Sequence, residues 1–181
     1  RACRLASKLD FSVDERTLQA IAETLSVSSL VSVERIRDEL VKLLQTDKPS
    51  KGIEYMRETG LLGLVLPELA DCFGVAQNKF HSFDVYYHCL YSCDAAKKTN
   101  LIVRLAALLH DIGKLPTRKE GDGGDYVFYN HEVIGARITK RIMRRLKFSN
   151  EEIERTVNLV YNHMFHYTDE WTDGAVRRFM R

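Results

Sequence analysis

The sequence has few of the residues that interrupt regular secondary structure. Proline accounts for only 3 and glycine for 10 of its 181 residues, and the polar–apolar alternation that is typical of half-buried strands is almost absent. Apolar residues recur instead with the spacing of amphipathic helices along most of the chain. These absences argue against a sheet-based fold and predict an all-α protein. Residues 121–130 (GDGGDYVFYN) are predicted to be a loop that holds a small hairpin at most.

Long apolar runs, paired cysteines and a strong charge imbalance are also missing. No segment approaches the ~20 apolar residues that a membrane-spanning helix needs, and no secretory pattern opens the sequence. The four cysteines show no disulfide framework, so we expect reduced thiols in a cytoplasmic protein. Because the formal net charge is only +2, any surface that binds nucleic acid has to be a local basic patch.

Helical patterns divide the chain into two predicted lobes. In the first, residues 2–9 form a short helix, a second helix uses Ser12 as its N-cap with Glu15 three residues on, and a third helix follows Ser32. In the second, we predict four helices at residues 84–98, 101–113, 131–147 and 150–164. We therefore expect a helical neck lobe at residues 1–75 and a helical bundle at residues 76–181, together forming a piece of a longer protein.

All six histidines lie in the second lobe, four of them at inner faces or ends of predicted helices. His88 lies on an inner face, His110 and Asp111 end the helix of the apolar run LIVRLAALL, His131 opens the next helix and His163 closes the last. Such positions can converge in a helical bundle. Imidazoles combined with a carboxylate suit zinc, iron, manganese or nickel.

Ordinary explanations compete with a metal site at several of these positions. We treat His81 and His166 as exposed or core histidines without a metal. His131 and His163, each taken alone, fit equally well as residues that interact with a helix terminus.

Burial makes the ordinary explanation less convincing at the His-Asp pair. The apolar run before His110 and Asp111 implies deep burial. Burial is costly for a carboxylate beside an imidazole unless the two groups form ion pairs or coordinate a metal ion. Cys89 and Cys93, four residues apart beside His88, also suggest zinc, although buried thiols explain them better.

Several sequence blocks, taken in order, carry a family resemblance. His88, HD at 110–111, HEVIGA from residue 131 and NHM at 162–164 resemble the HD phosphohydrolase superfamily. More narrowly, the chain is similar to the neck and HD portion of bacterial tRNA nucleotidyltransferases, the CCA-adding and poly(A) polymerase family. The further blocks that carry this similarity are RACRLASKLDFSVDERTLQAI, VSVERIRDELVKLL, ETGLLGLVLPEL and WTDGAVRRFM. Their order along nearly the whole chain makes the resemblance specific.

The resemblance implies a metal-dependent phosphohydrolase site in an HD-type helical bundle. It implies that His88, His110 and Asp111 bind a divalent metal ion (Mg, Mn, Ni, Fe or Zn), and that His131 and His163 help to hold a second ion. Asp111 would bridge the two ions or accept a proton from water, and Lys114 would reach a phosphate as a point charge. A solvated turn lysine is an equally good explanation of Lys114.

The resemblance also implies two features of the family that these 181 residues do not supply in full: a further metal-binding carboxylate and the polymerising head. HD sites usually include one more carboxylate from a later helix, for which Asp169 and Asp173 are the only late candidates; the family pattern places that residue beyond Arg181. The Gly-Ser motif and paired carboxylates of the polymerising head are absent from the 181 residues. We therefore expect no nucleotide transfer by this chain alone.

The implied substrates are 2′,3′-cyclic phosphates, 2′-nucleotides or other small phosphoesters, with a tRNA or other RNA 3′ end as the partner. One helix fits an RNA partner, because its cationic residues lie opposite an apolar stripe: Arg137, Lys140, Arg141, Arg144, Arg145 and Lys147. An ordinary solvated face explains the same pattern. Two other functions stay open, a catalytically silent RNA-binding scaffold and a phosphatase of free nucleotides.

Overall fold

The computed structural model describes residues 1–78, 82–121 and 124–165, together with Thr172, Gly174 and Arg177. Regular structure in these residues is almost entirely helical, which confirms the all-α prediction. The helices are α1 (Ala2–Leu9), α2 (Glu15–Glu23), α3 (Leu25–Ser28), α4 (Val33–Leu44), α5 (Pro49–Glu58), α6 (Leu61–Val65), α7 (Pro67–Ala70), α8 (Val85–Ala95), α9 (Leu101–Leu109), α10 (Lys114–Thr117), α11 (His131–Arg145) and α12 (Asn150–Tyr161). No helix within these ranges is long and apolar enough to cross a membrane.

A two-stranded hairpin interrupts the helical pattern between α10 and α11. Strands β1 (Lys119–Glu120) and β2 (Tyr126–Val127) pair antiparallel, with Lys119 opposite Val127. The hairpin is as small as the sequence predicts for this glycine-rich segment.

Side-chain caps set where several helices begin. In α12 the Ser149 hydroxyl accepts a hydrogen bond from the Glu152 amide, and the Glu152 carboxylate accepts one from the Ser149 amide, which completes a capping box. The predicted cap of α2 is wrong, because Asp14 and not Ser12 is the N-cap and accepts from the amide of Thr17 at 3.3 Å. Asp14 has the extended backbone of an N-cap, so the helix begins two residues later than predicted.

A buried core joins residues from both predicted lobes. Fully buried side chains of the first lobe, among them Leu44 and Ile53, belong to the same apolar cluster as Tyr86, Leu108 and Ile142 of the second. The helices α5 and α8 pack directly on each other, as do α4 and α9. The division at residue 75 stays a prediction, but the two halves share one core.

One buried arginine links helices of the two halves through backbone atoms. Arg104 on α9 is 2% exposed. Its guanidinium donates to the carbonyl oxygens of Leu44 and Thr46, both at 2.6 Å, and of Ala96 at 3.0 Å. These carbonyls lie at the ends of α4 and α8, where helices leave acceptors without intrahelical partners. Arg104 therefore fixes the position of α9, which leads into the His-Asp pair.

Candidate metal centre

The His110–Asp111 pair lies in a tight turn at the end of α9. The predicted helix 101–113 ends earlier, at Leu109, with His110 as its C-cap. Leu105, Leu108 and Leu109 hold α9 in the core, and the turn that follows buries the side chain of Asp111 to 3% exposure. A carboxylate this deeply buried is costly unless cationic or hydrogen-bonding groups surround it.

The geometry of this turn depends on glycine. An added Cβ on Gly113 would lie 2.1 Å from the carbonyl oxygen of His131 and 2.6 Å from the amide nitrogen of Gly135. The backbone after Asp111 therefore touches the first turn of α11 directly. This close approach brings His131, the first residue of α11, beside the His-Asp turn.

Two histidines face the first oxygen of Asp111. The Nε2 atoms of His88 and His110 lie 3.3 Å and 3.2 Å from Asp111 Oδ2, and 3.1 Å from each other. His88 comes from α8, which packs on α9. The three atoms form a nearly equilateral triangle at the end of α9.

A second pair of histidines faces the other oxygen. The Nε2 atoms of His131 and His163 lie 3.4 Å and 3.5 Å from Asp111 Oδ1, and 3.1 Å from each other. His163 follows α12, which packs against both α9 and α11. Asp111 thus belongs to two groups of three donors and presents one oxygen to each.

These separations match the spacing of ligands around a small divalent cation. Nitrogen and oxygen ligands at ~2.1 Å from an ion lie ~3.0 Å apart at right angles and ~3.4 Å apart in a tetrahedron. The six donor–donor distances of the two groups run from 3.1 to 3.5 Å. The spacing of each group therefore fits a divalent cation.

Backbone hydrogen bonds set the tautomers that metal binding requires. The Nδ1 atoms of His110, His131 and His163 lie 2.8, 2.8 and 2.7 Å from the carbonyl oxygens of residues 107, 128 and 160. A carbonyl only accepts, so Nδ1 carries the hydrogen in each ring. In the neutral ring, Nε2 then keeps its lone pair and points it at the shared carboxylate.

The buried carboxylate is ionised but incompletely satisfied by the protein. Burial by itself would raise the pKa of Asp111, yet the rings of His110 and His163 and the ammonium of Lys114 hold that pKa well below its usual range. Its Oδ1 atom is buried and accepts no hydrogen bond of good geometry. A buried charged oxygen without such a partner is a site that a cation would stabilise.

The pKa values of the two histidines of the second group shift in opposite directions. Burial lowers the pKa of His131 below its ordinary value. Burial also acts to lower the pKa of His163, but the nearby carboxylate of Asp111 and the hydrogen bond to the carbonyl of Val160 outweigh it and raise the pKa. In the protein alone, His163 therefore keeps a proton to a higher pH than an ordinary imidazole, beside the charge of Asp111.

Lys114 lies inside this cluster rather than on the surface. It is 5% exposed, which rules out the alternative of a solvated turn lysine. Its Nζ atom donates to Asp111 Oδ2 at 2.8 Å and to Gln77 Oε1 at 2.6 Å. Gln77 is not among the predicted site residues, because it is 37 residues away from Lys114 in the chain and has no neighbouring pattern that would single it out.

The structure thus brings together every residue that the sequence singled out as a catalytic group or metal ligand: His88, His110, Asp111, Lys114, His131 and His163. Neither donor group within the described ranges includes a cysteine. All four cysteines are buried and unbridged, and burial raises the pKa of Cys89 well above its ordinary value. His81, His166, Asp169 and Asp173 lie outside the described residues.

Comparison with known proteins agrees with an HD metal centre. Residues 80–177 match the family described as the HD domain, and this match covers more than half of the chain. The chain therefore belongs to the HD domain family. Residues 10–73 match a second family, described as the probable RNA- and SrmB-binding site of polymerase A.

Individual relatives show which proteins the chain is similar to. The chain is 35% identical to the A-adding tRNA nucleotidyltransferase of Deinococcus radiodurans and 34% identical to the CC-adding tRNA nucleotidyltransferase of Thermus thermophilus; each match covers 99% of this chain and 43% of the relative. It is 32% identical to the multifunctional CCA protein of Cupriavidus taiwanensis, over 99% of this chain and 45% of the relative. The chain spans less than half the length of these relatives. The predicted resemblance to the neck and HD portion of this family is confirmed.

Proposed function

We propose that this chain is the phosphohydrolase part of a tRNA nucleotidyltransferase-family protein that acts in tRNA 3′-end processing. It would hydrolyse phosphoesters with the help of divalent metal ions. The single observation that carries this proposal is the division of the Asp111 carboxylate between two pairs of histidines. A structural scaffold has no need for four imidazoles and a lysine around one buried carboxylate, whereas phosphoester hydrolysis uses such a donor set.

The two donor groups have defined tasks in this proposal. His88, His110 and Asp111 Oδ2 would hold one cation, and His131, His163 and Asp111 Oδ1 a second. When bound, such cations lower the pKa of water and offset the charge of phosphoryl oxygens. Asp111 serves as a shared ligand rather than as a proton acceptor, because each of its two oxygens faces one of the donor groups.

Lys114 orients the shared carboxylate and binds the substrate. Two of its three N–H donors are used by Asp111 and Gln77, which leaves one for a phosphoryl oxygen. Gln77 also donates to the carbonyl oxygen of Phe83 at 3.0 Å, so the ammonium is held between the segment before α8 and the HD turn. A fixed ammonium of this kind complements the charge of a phosphoester.

The names of the relatives and the family match of the neck lobe support the proposed substrate and partner. The relatives are named for adding nucleotides to tRNA, and residues 10–73 match an RNA-binding family. We therefore propose 2′,3′-cyclic phosphates and 2′-nucleotides, including those at an RNA 3′ end, as substrates and tRNA as the partner. With this partner we propose a cytoplasmic location.

The test is a comparison of turnover and metal content in matched variants. The purified chain, loaded separately with Mg, Mn, Ni, Fe or Zn, is assayed on a 2′,3′-cyclic nucleotide, on a 2′-nucleotide and on bis(p-nitrophenyl) phosphate. We expect turnover with at least one metal, and its loss in His110→Ala. Asp71→Asn, which removes an exposed carboxylate outside the cluster, controls for the general effect of substitution and retains activity.

Each competing function gives a different result. A metal-free protein that binds tRNA normally and hydrolyses none of these substrates would be a silent scaffold, and the proposal would be wrong. Turnover restricted to free nucleotides, with none on RNA ends carrying the same phosphate, would indicate a nucleotide phosphohydrolase instead. Turnover that persists in His110→Ala would show that the metal centre is not needed for the reaction.

A further inference from the structure

A basic groove runs along α11 on the surface of the molecule. Four exposed cationic residues line it, Arg137, Lys140, Arg141 and Arg144. Pro116 of α10 and two isoleucines of α11, Ile134 and Ile138, complete the lining. Positions 137, 141 and 144 follow the helical repeat, so their side chains lie on one face of the helix. We call this feature the α11 groove.

Among the described residues, the cations of the α11 groove have no acidic partners, unlike their neighbours. Further along the same helix and just beyond it, Arg145 pairs with Glu68 at 2.8 Å and Lys147 with Glu34 at 2.6 Å. Within the part of the chain that the structure describes, none of the four groove cations forms an ion pair. Four unneutralised cations along one groove produce a local positive field on a chain whose net charge is only +2.

The groove and the metal centre share two elements. α11 begins with His131, a member of the second donor group, and α10 begins with Lys114, which contacts Asp111. At 1.5 Å per residue, Arg137 lies ~9 Å and Arg144 ~20 Å along the helix axis from His131. The cations therefore form a track along α11 with Arg137 at its near end. Since each residue turns the helix by ~100°, they lie ~80–180° around the helix from His131, and a bound strand has to pass round the first turns of α11 to reach the metal centre.

We propose that the α11 groove binds the phosphate backbone of an RNA strand whose end reaches the metal centre. This inference rests on the proposed function and adds to it a binding surface outside the segment that matches the RNA-binding family, residues 10–73. Guanidinium groups match phosphate oxygens with paired hydrogen bonds. The apolar lining accommodates sugar and base surfaces, whereas several cations in a row along one groove fit a polymer with one charge per unit.

The experiment measures the affinity of the chain for tRNA and for a short single-stranded oligoribonucleotide over a range of salt concentrations. The test variant is Arg137→Gln/Arg141→Gln/Arg144→Gln. The control, Lys97→Gln/Lys98→Gln/Arg155→Gln, removes the same number of exposed charges outside the groove. Thermal unfolding of both variants confirms folding, which we expect because all six positions are exposed.

We expect the groove variant to bind RNA more weakly, by ~10- to 100-fold at ~0.1 M salt. Its salt dependence should fall by ~0.7 in logarithmic slope for each phosphate that the variant no longer binds. The control variant should keep most of the affinity. Turnover of bis(p-nitrophenyl) phosphate should be unchanged in the groove variant, because this small substrate does not need the track.

Other outcomes overturn the inference and separate it from the proposed function. Equal weakening in both variants would mean that only the overall charge matters. Competition by polyglutamate as strong as that by RNA would indicate a site for acidic protein segments. RNA binding that is unaffected by the groove substitutions would show that the groove does not bind RNA, and would leave the proposed function standing. The metal centre is tested independently by His110→Ala, which should abolish small-substrate turnover without changing RNA affinity.

Discussion

The Nε2 atoms of His131 and His163 lie 3.1 Å apart, although the Nδ1 atom of each ring donates to a backbone carbonyl. In the neutral tautomers, two lone pairs would face each other beside the negative charge of Asp111. One cation has to lie among these atoms for the arrangement to be stable, either a proton or a metal ion. The raised pKa of His163 favours the proton in the protein alone.

A pH dependence of metal binding follows from this competition. Because the pKa of His163 is raised, its ring keeps a proton to a higher pH than an ordinary imidazole, and metal binding has to displace that proton. Metal affinity should therefore increase as the pH rises through this pKa. Calorimetry near neutral pH should show proton release, as a dependence of the binding heat on the ionisation enthalpy of the buffer.

The same group should affect the stability of the metal-free protein with the opposite sign. The protonated ring stabilises the fold below its unfolded pKa, and this contribution is lost as the pH rises through the higher folded pKa. His163→Ala should abolish both effects, and His88→Ala should preserve them because His88 faces the other oxygen. Binding heats that are equal in all buffers would contradict this assignment.

Substitutions of the shared carboxylate and of one histidine should differ in metal stoichiometry. Asp111→Asn removes the charge from both donor groups, so we expect both cations to be lost. His88→Ala removes a ligand from one group only and should leave close to half of the metal. Elemental analysis of the metal-loaded proteins measures the difference. Equal metal content in the two variants would show that Asp111 does not link two sites.

The glycine of the HD turn is expected to be indispensable. The Cβ of Gly113→Ala would collide with the backbone of α11, at 2.1 Å from the carbonyl oxygen of His131. Separating the turn from α11 should cost about 1–3 kcal/mol or more of unfolding free energy and lower metal affinity. Urea denaturation measures the first effect. Gly63→Ala, in α6 with nothing within 4 Å of the added Cβ, is the control and should be neutral or stabilising.

The buried arginine of α9 should matter far more than an exposed one. Arg104→Ala leaves the carbonyl oxygens of residues 44, 46 and 96 without their donor, which should lower the unfolding free energy by about 2–4 kcal/mol. Arg155→Ala removes an exposed pair with Glu151 and should cost only ~0.5 kcal/mol. Similar losses in both variants would mean that Arg104 does not act through its backbone contacts.

The helices and the candidate site residues were largely accessible from the sequence. Helical spacing of apolar residues placed α8, α9, α11 and α12 within a few residues of their observed bounds. Errors occur at helix ends, where local chemistry competes: Ser12 and Asp14 are both good N-caps, and only the path of the chain selects Asp14. Similarly, nothing in the run LIVRLAALLHDIG shows that the helix stops at Leu109.

Contacts between distant residues could not be predicted in this way. Gln77 contacts Lys114, Arg104 contacts the ends of α4 and α8, and two of the six cations on and just after α11 pair with acidic residues of α4 and α7. Each contact joins elements whose order in the chain says nothing about their distance in space.

Sequence alone determined which donors this protein has, because histidine and aspartate at helix ends and inner faces are a property of local pattern. Tertiary structure decided how they are shared. The backbone contact at Gly113 and the packing of α8, α11 and α12 around α9 set which histidines meet which oxygen of Asp111. Packing fixes positions to within fractions of an ångström, and metal ligation depends on distances of that order.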